Sequence, residues 1–243
     1  MNLYIVTGPT RGLGKALAEA IARNPENELI CLGRAPDAPV PGGARLEIDL
    51  TDTAAVEKVC DRIEARIRGK RYEKAVLINN AGVVEPVAPL EQVSAAELER
   101  NLVVNLVSPL LLMRRFLLAT EGVAGIRRII NVSSGAGRRP ISGWTAYCAA
   151  KAGLDMASRV VALESESRRR AVEVASIAPG VIDTDMQAVV RSKDEAVFAD
   201  VERFRAMKQE GMLRTAESVA AEILRVEGEG RLAGIGVVGA LFS

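Results

Sequence analysis

The chain has 243 residues, 49% of them hydrophobic, with 32 lysines and arginines against 31 acidic residues and a formal charge of +1. This composition supports one domain with a sizeable core and gives no reason to expect nucleic acid or an anionic membrane as partner. Histidine is absent, so a Ser-His-Asp triad, a Cys-His pair and a histidine-ligated zinc are excluded; no metal is expected, and acid–base chemistry falls to Tyr, Lys, Asp, Glu or Cys.

From the N-terminus, LYIVT (3–7) reads as a strand, followed by a glycine-rich turn and a helix near 12–24. LICLG (29–33) reads as a second strand, APDAPVPGGA (35–44) as a turn-rich loop and RLEIDL (45–50) as a third strand. The next helix, near 53–68, places Val56, Val59, Cys60, Ile63 and Ile67 at helical spacing. AVLINN (75–80) is a fourth strand, residues 95–119 a long helix, RRIINVSS (127–134) a fifth strand and residues 142–168 another helix. VEVASIAP (172–179) forms a sixth strand. A polar, methionine-bearing stretch (183–211), a helix near 215–226 and an aliphatic run, GIGVVGAL, complete the chain.

Strands that alternate with helices and are apolar throughout predict a parallel sheet covered on both faces: a single-domain, doubly wound α/β fold of Rossmann type. No apolar run approaches the length that spans a bilayer, and MNLYIVTGPT lacks the basic and apolar regions of an export signal. Cys31, Cys60 and Cys148 are odd in number and outside any CxxC pattern, which points to reduced thiols. The chain reads as soluble and cytoplasmic.

TGPTRGLG (7–14) follows the first strand and opens the first helix. Gly8, Gly12 and Gly14 allow a tight turn and let a pyrophosphate approach the helix N-terminus. Past the second strand, where an NAD-binding chain carries an acid for the ribose hydroxyls, stand Gly33 and Arg34. With Arg11 in the glycine loop, two guanidiniums could hold a 2′-phosphate, which favours NADP(H). Asp49 ends the third strand, where its carboxylate could accept from an adenine amino group or simply fix a turn.

Tyr147 and Lys151, in SGWTAYCAAKAGLD (142–155), are four residues apart and so share one helical face. Alone, the pair could be a half-buried tyrosine beside a snorkelling lysine. TGPTRGLG, NNAG (79–82), Asn105, NVSS (131–134), Tyr147/Lys151 and PGVIDT (179–184), in that order and over essentially the whole chain, resemble the short-chain dehydrogenase/reductase family. Residues 131–156 and 178–187 are similar to its benzil reductase and sepiapterin reductase-like subgroup.

The resemblance implies that Ser134 orients a carbonyl, with Ser133 its competitor, and that Asn105 anchors a water relaying protons to Lys151. Asn105 could equally satisfy its amide inside the core. Lys151 would lower the Tyr147 pKa from its reference value of ~10 so that the phenol donates a proton near neutrality. Thr10, Leu13, Leu50, Asn80 and Ala81 would contact the dinucleotide, as would Tyr147 and Lys151; Asn79 would brace neighbouring strands and Gly82 leave room for the ribose. After Pro179 and Gly180, Ile182 would bind the nicotinamide through its backbone and Thr184 its carboxamide or the phosphates.

Trp144 would line the substrate pocket or serve the core, and 183–211, with Met186, Met207 and Met212, would form a lid over the substrate or a plain surface helix pair. The expected function is NADPH-dependent reduction of a ketone, 1,2-dicarbonyl or pterin side-chain ketone. The alternatives are a 3-oxoacyl thioester reductase, with Arg191, Lys193 and Arg203 receiving the carrier, and a non-catalytic NADP-sensing protein. A small-molecule substrate is expected, with a homodimer or homotetramer formed through helices that include Ala149, Ala150 and Gly153.

Overall fold

A computed structural model describes residues 1–34, 42–167 and 172–242; most of the loop expected at 35–44 lies outside the described residues. Seven strands form one parallel sheet: β1 (Asn2–Thr7), β2 (Asn27–Gly33), β3 (Gly43–Glu47), β4 (Tyr72–Asn79), β5 (Ala124–Val132), β6 (Val172–Ala178) and β7 (Val238–Ala240). Their spatial order is β3-β2-β1-β4-β5-β6-β7. The winding reverses between β1 and β4, and at such a reversal the loops beyond the strand ends part to leave a crevice. The expected Rossmann-type fold is present.

Both faces of the sheet are buried, which is why the strands read as unbroken apolar runs. In β1, Leu3 and Ile5 face one core while Tyr4 and Val6 face the other. The second core is closed by α1 (Gly12–Ala22) and α8 (Ala216–Gly228). On the first, α2 (Thr53–Ile67) buries Val56, Val59, Cys60, Ile63 and Ile67, as its periodicity predicted. Asp52 caps that helix by accepting the Ala55 N–H at 3.0 Å.

Several boundaries differ from the sequence reading. The third strand ends at Glu47 rather than at residue 50, and β5 ends at Val132, before the serine pair. Only Val238–Ala240 of the last aliphatic run is strand; the short helix α9 (Leu232–Ile235) precedes it. The expected lid stretch contains α6 (Asp185–Arg191) and α7 (Val201–Gln209). Cys31, Cys60 and Cys148 are all free thiols.

The long helix over 95–119 is not regular. It comprises α3 (Ala95–Leu102), a π turn at Val103–Val107 and α4 (Ser108–Ala119). Contrary to the expectation for the chain, Ala95–Ala119 is long and apolar enough, by length and composition, to cross a membrane, with a mean hydropathy of 1.7. In the fold its Val104, Leu112, Met113 and Phe116 enter the first core, and Arg115 reaches Glu57 and Asp61 on α2 at 2.8 and 2.5 Å. The remaining helix, α5 (Thr145–Ser167), crosses the same face. Asn79 donates to Asn131 at 2.8 Å, and Asn131 donates to Ser158 of α5 at 2.8 Å, so Asn79 does brace neighbouring strands.

A charged cluster joins α8 to the sheet. Glu227, 1% exposed, accepts hydrogen bonds from Tyr4 at 2.9 Å, Lys74 at 2.9 Å and Arg128 at 2.6 Å. Removing the carboxylate takes the acceptor from Tyr4 and Lys74 in a dry environment and leaves Arg128 with Glu173 alone among carboxylates, at 2.9 Å. Glu227→Ala is expected to lower the unfolding free energy by about 3–5 kcal/mol in chemical denaturation; a loss below about 1 kcal/mol would contradict this reading of the cluster.

Candidate active site

The glycine loop is locked by its neighbours. The Thr7 hydroxyl accepts the backbone N–H groups of Asn80 and Ala81, each at 2.9 Å. In return the Asn80 side chain donates to the carbonyls of Thr7 at 2.9 Å and Gly8 at 3.3 Å. Gly8 has φ +67°, and a Cβ on Gly14 would lie 2.0 Å from the Gly8 oxygen and 2.4 Å from the Asn80 amide nitrogen. Only glycine fits at 14, because the first turn of α1 is pressed against the strand end. Arg11 at the N-cap makes no side-chain capping bond, and Gly12, Leu13 and Gly14 of the first turn of α1 border the crevice.

The crevice is a cleft of about 430 Å³. Gly8, Thr10, Arg11, Gly12, Leu13, Gly14, Arg34, Asp49, Leu50, Asn80, Ala81, Gly82, Tyr147, Lys151, Pro179, Gly180, Ile182 and Thr184, all expected at a dinucleotide, line it. A glycine cradle, an uncapped helix N-terminus and cations at one end suit an extended, phosphate-bearing ligand, so the residues present fit a nicotinamide dinucleotide.

Two details modify the expectation. Arg11 pairs with Asp185 at 3.4 Å; the two side chains are highly exposed, at 67% and 70%, and such a pair is weak enough to yield to a phosphate. Asp49 forms a turn, accepting the backbone N–H and hydroxyl of Thr51, each at 2.9 Å, and these bonds together with the Arg34 and Arg100 charges hold its carboxyl below the usual range.

At the other end, α5 brings Tyr147 and Lys151 onto one face beside Ser134. Lys151, 4% exposed, donates through Nζ to the Val132 carbonyl at 2.8 Å and lies 5.7 Å from the Tyr147 ring centroid. Burial pushes its pKa down to about 8, against the opposing charge of Asp155. For Tyr147, burial pushes the phenol up to about 12, while the Ser134 hydroxyl pulls it down and Cys148 adds to the rise. In the chain by itself, then, Lys151 does not make the phenol acidic: desolvation dominates, and the ammonium is engaged by a main-chain carbonyl.

Of the two serines, Ser134 stands beside Tyr147 and accepts the Ala136 N–H at 3.1 Å. Ser133 also borders the cleft, but its hydroxyl oxygen is buried and without a hydrogen-bond partner. Asn105 does not line the cleft. It sits in the π turn, fully buried, accepting the Val83 N–H at 3.1 Å and donating to the Val83 carbonyl at 2.8 Å and to Asn101 at 2.9 Å. A Cβ on Gly82 would lie 2.9 Å from the Asn105 oxygen and 3.7 Å from Lys151 Nζ, so both side chains approach the same glycine.

Sequence reasoning missed Thr7, Asn101 and Gly137. A Cβ on Gly137 would lie 2.9 Å from the Lys151 carbonyl carbon. The spacing NxxxN at 101–105 was the available signal for Asn101, since residues four apart meet on a helix.

The substrate end is walled by Trp144, whose ring stacks on Phe198 with centroids 5.3 Å apart and meets Tyr147 edge-on at 5.4 Å. Phe204 of α7 packs at 5.6 Å from Trp144, and Met186 and Met207 border the cluster, whereas Met212 is 54% exposed. Of the basic residues expected to receive a carrier, Arg203 is exposed and Lys193 and Arg191 are half-buried. Arg191 turns to Asp183 at 3.6 Å, and Arg203 lies over the Phe204 ring.

A doubly wound parallel sheet with a glycine cradle at its switch point and a Tyr-Lys pair at the cleft's far end defines a dinucleotide-dependent oxidoreductase. The short chain dehydrogenase profile matches residues 2–195, and the chain belongs to that family. It is 37% identical over 226 residues to benzil reductase ((S)-benzoin forming) of Bacillus subtilis (strain 168), covering 92% of each chain. Over 242 residues it is 31% identical to sepiapterin reductase of Mus musculus, covering 90% of this chain and 89% of that one. The solved structure of the KRED1-Pglu enzyme superposes with a TM-score of 0.80 at 26% identity, over 93% of this chain and 94% of that one.

Gly14→Ala places a methyl group on the Gly8 carbonyl. Titration of cofactor fluorescence should show dinucleotide affinity falling by at least about tenfold; unchanged affinity would remove the close-approach argument.

Proposed function

We propose that the chain reduces a ketone or 1,2-dicarbonyl to an alcohol with NADPH. The observation that carries this reading is the placement of Tyr147, Lys151 and Ser134 together at the end of a dinucleotide-shaped cleft. Bound NADPH supplies a hydride to the carbonyl carbon and leaves a positive ring beside the site once oxidised. Ser134 donates its hydroxyl to the carbonyl oxygen and stabilises charge developing there. Tyr147 transfers its proton to that oxygen as it becomes an alkoxide, so the product gains one hydride and one proton. Lys151 keeps an ammonium one turn away, offsetting the phenolate left behind. The rise of the phenol pKa in the chain alone makes this pairing necessary, since burial must be offset by cationic charge before the proton moves readily near neutrality.

The preference for NADPH rests on Arg34 after β2 and on Arg11, whose exposed partner is readily displaced. The aromatic wall of Trp144 and Phe204, backed by Phe198, favours an apolar, aryl-sized carbonyl compound over a flexible acyl chain. Benzil reductase among the relatives supports that choice. Arg191 is paired with Asp183, which weakens the support it gave to a carrier-bound thioester. In this reading the segment carrying α6 and α7 covers the substrate.

A second copy of the chain fits the outer face of α5, where Ala149, Met156, Val160 and Leu163 form an exposed apolar stripe continued by Leu110 of α4. Ala150 and Gly153, expected there, serve the chain's own packing: Ala150 is fully buried, and a Cβ on Gly153 would lie 2.9 Å from Leu106.

Tyr147→Phe is expected to lower turnover of a diketone by about 10²–10⁴-fold with NADPH affinity intact; wild-type rates would end the assignment. Arg34→Ala should reduce the ratio of NADPH to NADH affinity by about tenfold, and an unchanged ratio in direct titration would refute the specificity argument.

A further inference from the structure

Asp155 lies on α5 one turn beyond Lys151 and is 5% exposed, although no carboxylate-requiring step has been assigned to it. A buried carboxylate needs partners. It accepts the Ser176 hydroxyl of β6 at 2.6 Å through Oδ1. Its Oδ2 makes no hydrogen bond and lies 3.7 Å from Arg138 Nε. Arg138 is itself directed elsewhere, donating through Nη2 to the Gly239 carbonyl at 2.6 Å. One oxygen of the carboxylate is thus buried with its charge only loosely compensated.

Among the described residues, the other groups placed beside Lys151 are neutral. On α5 stand Tyr147 and the thiol of Cys148; the Val132 carbonyl comes from β5 and the Asn105 amide from the π turn. From the remaining neighbours of Asp155 come neutral Ser176 on β6 and the cation Arg138 after β5.

We propose that Asp155 is a positioning residue that keeps Lys151 an ammonium in its dry site, with Ser176 aiming the carboxylate and Arg138 tempering it. The proposal rests on the reading of Lys151 as the partner of Tyr147. Burial alone drives the lysine toward neutrality, and Asp155 is the charged side chain that opposes it. A lysine at about 8 remains cationic below that pH and loses its proton above it, so carbonyl reduction should decline as pH rises through this value. Without Asp155 the decline starts at lower pH.

The test is a pair of measurements on the full chain. Lysine labelled with ¹³C at Cε, with the Lys151 signal assigned by its loss in Lys151→Arg, reports the Lys151 titration directly. The pH profile of kcat/KM for a diketone reports its consequence. Asp155→Asn should move both midpoints to lower pH by about one unit, and Asp155→Glu should restore them. A folded Asp155→Asn protein with an unmoved Lys151 titration overturns the proposal, because a purely structural tether between α5 and β6 would change stability and not that midpoint.

Should Asp155→Asn fail to fold, Arg138→Gln decides. Removing that cation should move the midpoint to higher pH, and an unmoved or lowered midpoint overturns the assignment. If the wild type reduces no carbonyl compound, the proposed reaction fails while the resonance titration still judges Asp155. Normal turnover with an unmoved titration rejects Asp155 alone.

Discussion

Keeping a lysine ammonium in a dry site is the constraint on which the functional end of this molecule depends. Lys151 is buried and donates to the Val132 carbonyl. That carbonyl is available because pairing of β4 with β5 stops at Asn79 and Asn131, one residue short of it. Past Asn79 the backbone turns toward Thr7, where the amides of Asn80 and Ala81 bond the threonine hydroxyl. The same bend that locks the glycine loop therefore frees a strand-end carbonyl for the lysine, so cofactor cradle and catalytic pair are consequences of one departure from the ladder.

The rest of the cleft follows from the switch in winding between β1 and β4. Helix α1 contributes its first turn, α5 contributes the reacting pair, and the π turn sets Asn105 beside Gly82. A π turn widens the helix locally and re-aims one side chain. Here it holds the Asn105 amide on the Val83 carbonyl, while Asn101 at the end of α3 donates to Glu85, and Val83 borders the cleft. Small side chains are required where backbones meet, as Gly14 and Gly137 show.

Much of this was legible because it depends on local periodicity. The core face of α2 and the shared face of Tyr147 and Lys151 needed only helical spacing, and the strands needed only continuous apolar runs. Properties set by tertiary surroundings were not legible. The π turn has no periodic signature in VVNLV. The pairing of Arg11 with Asp185 joins residues far apart in sequence. Asn105 was read with two roles left open, and its hydrogen bonds in the chain are those of a core amide. The upward push of burial on Tyr147 in the chain by itself was not legible either, because spacing reveals an ammonium neighbour but not the extent of desolvation. Similarly, Ala95–Ala119 meets the length and composition of a membrane span only when the interrupted helix is taken whole.

The most direct measurement of the central claim is the ionisation of Tyr147 in the NADP⁺-loaded protein, followed by tyrosinate absorbance in the near ultraviolet. Burial and carboxylate neighbours push Tyr4 and Tyr72 well above the ordinary tyrosine range, so Tyr147 is the tyrosine that ionises first. The account predicts a midpoint well below the reference value of about 10, returning above it in Lys151→Met. A midpoint at or above that value in the wild type, unmoved by the loss of the lysine, would contradict it.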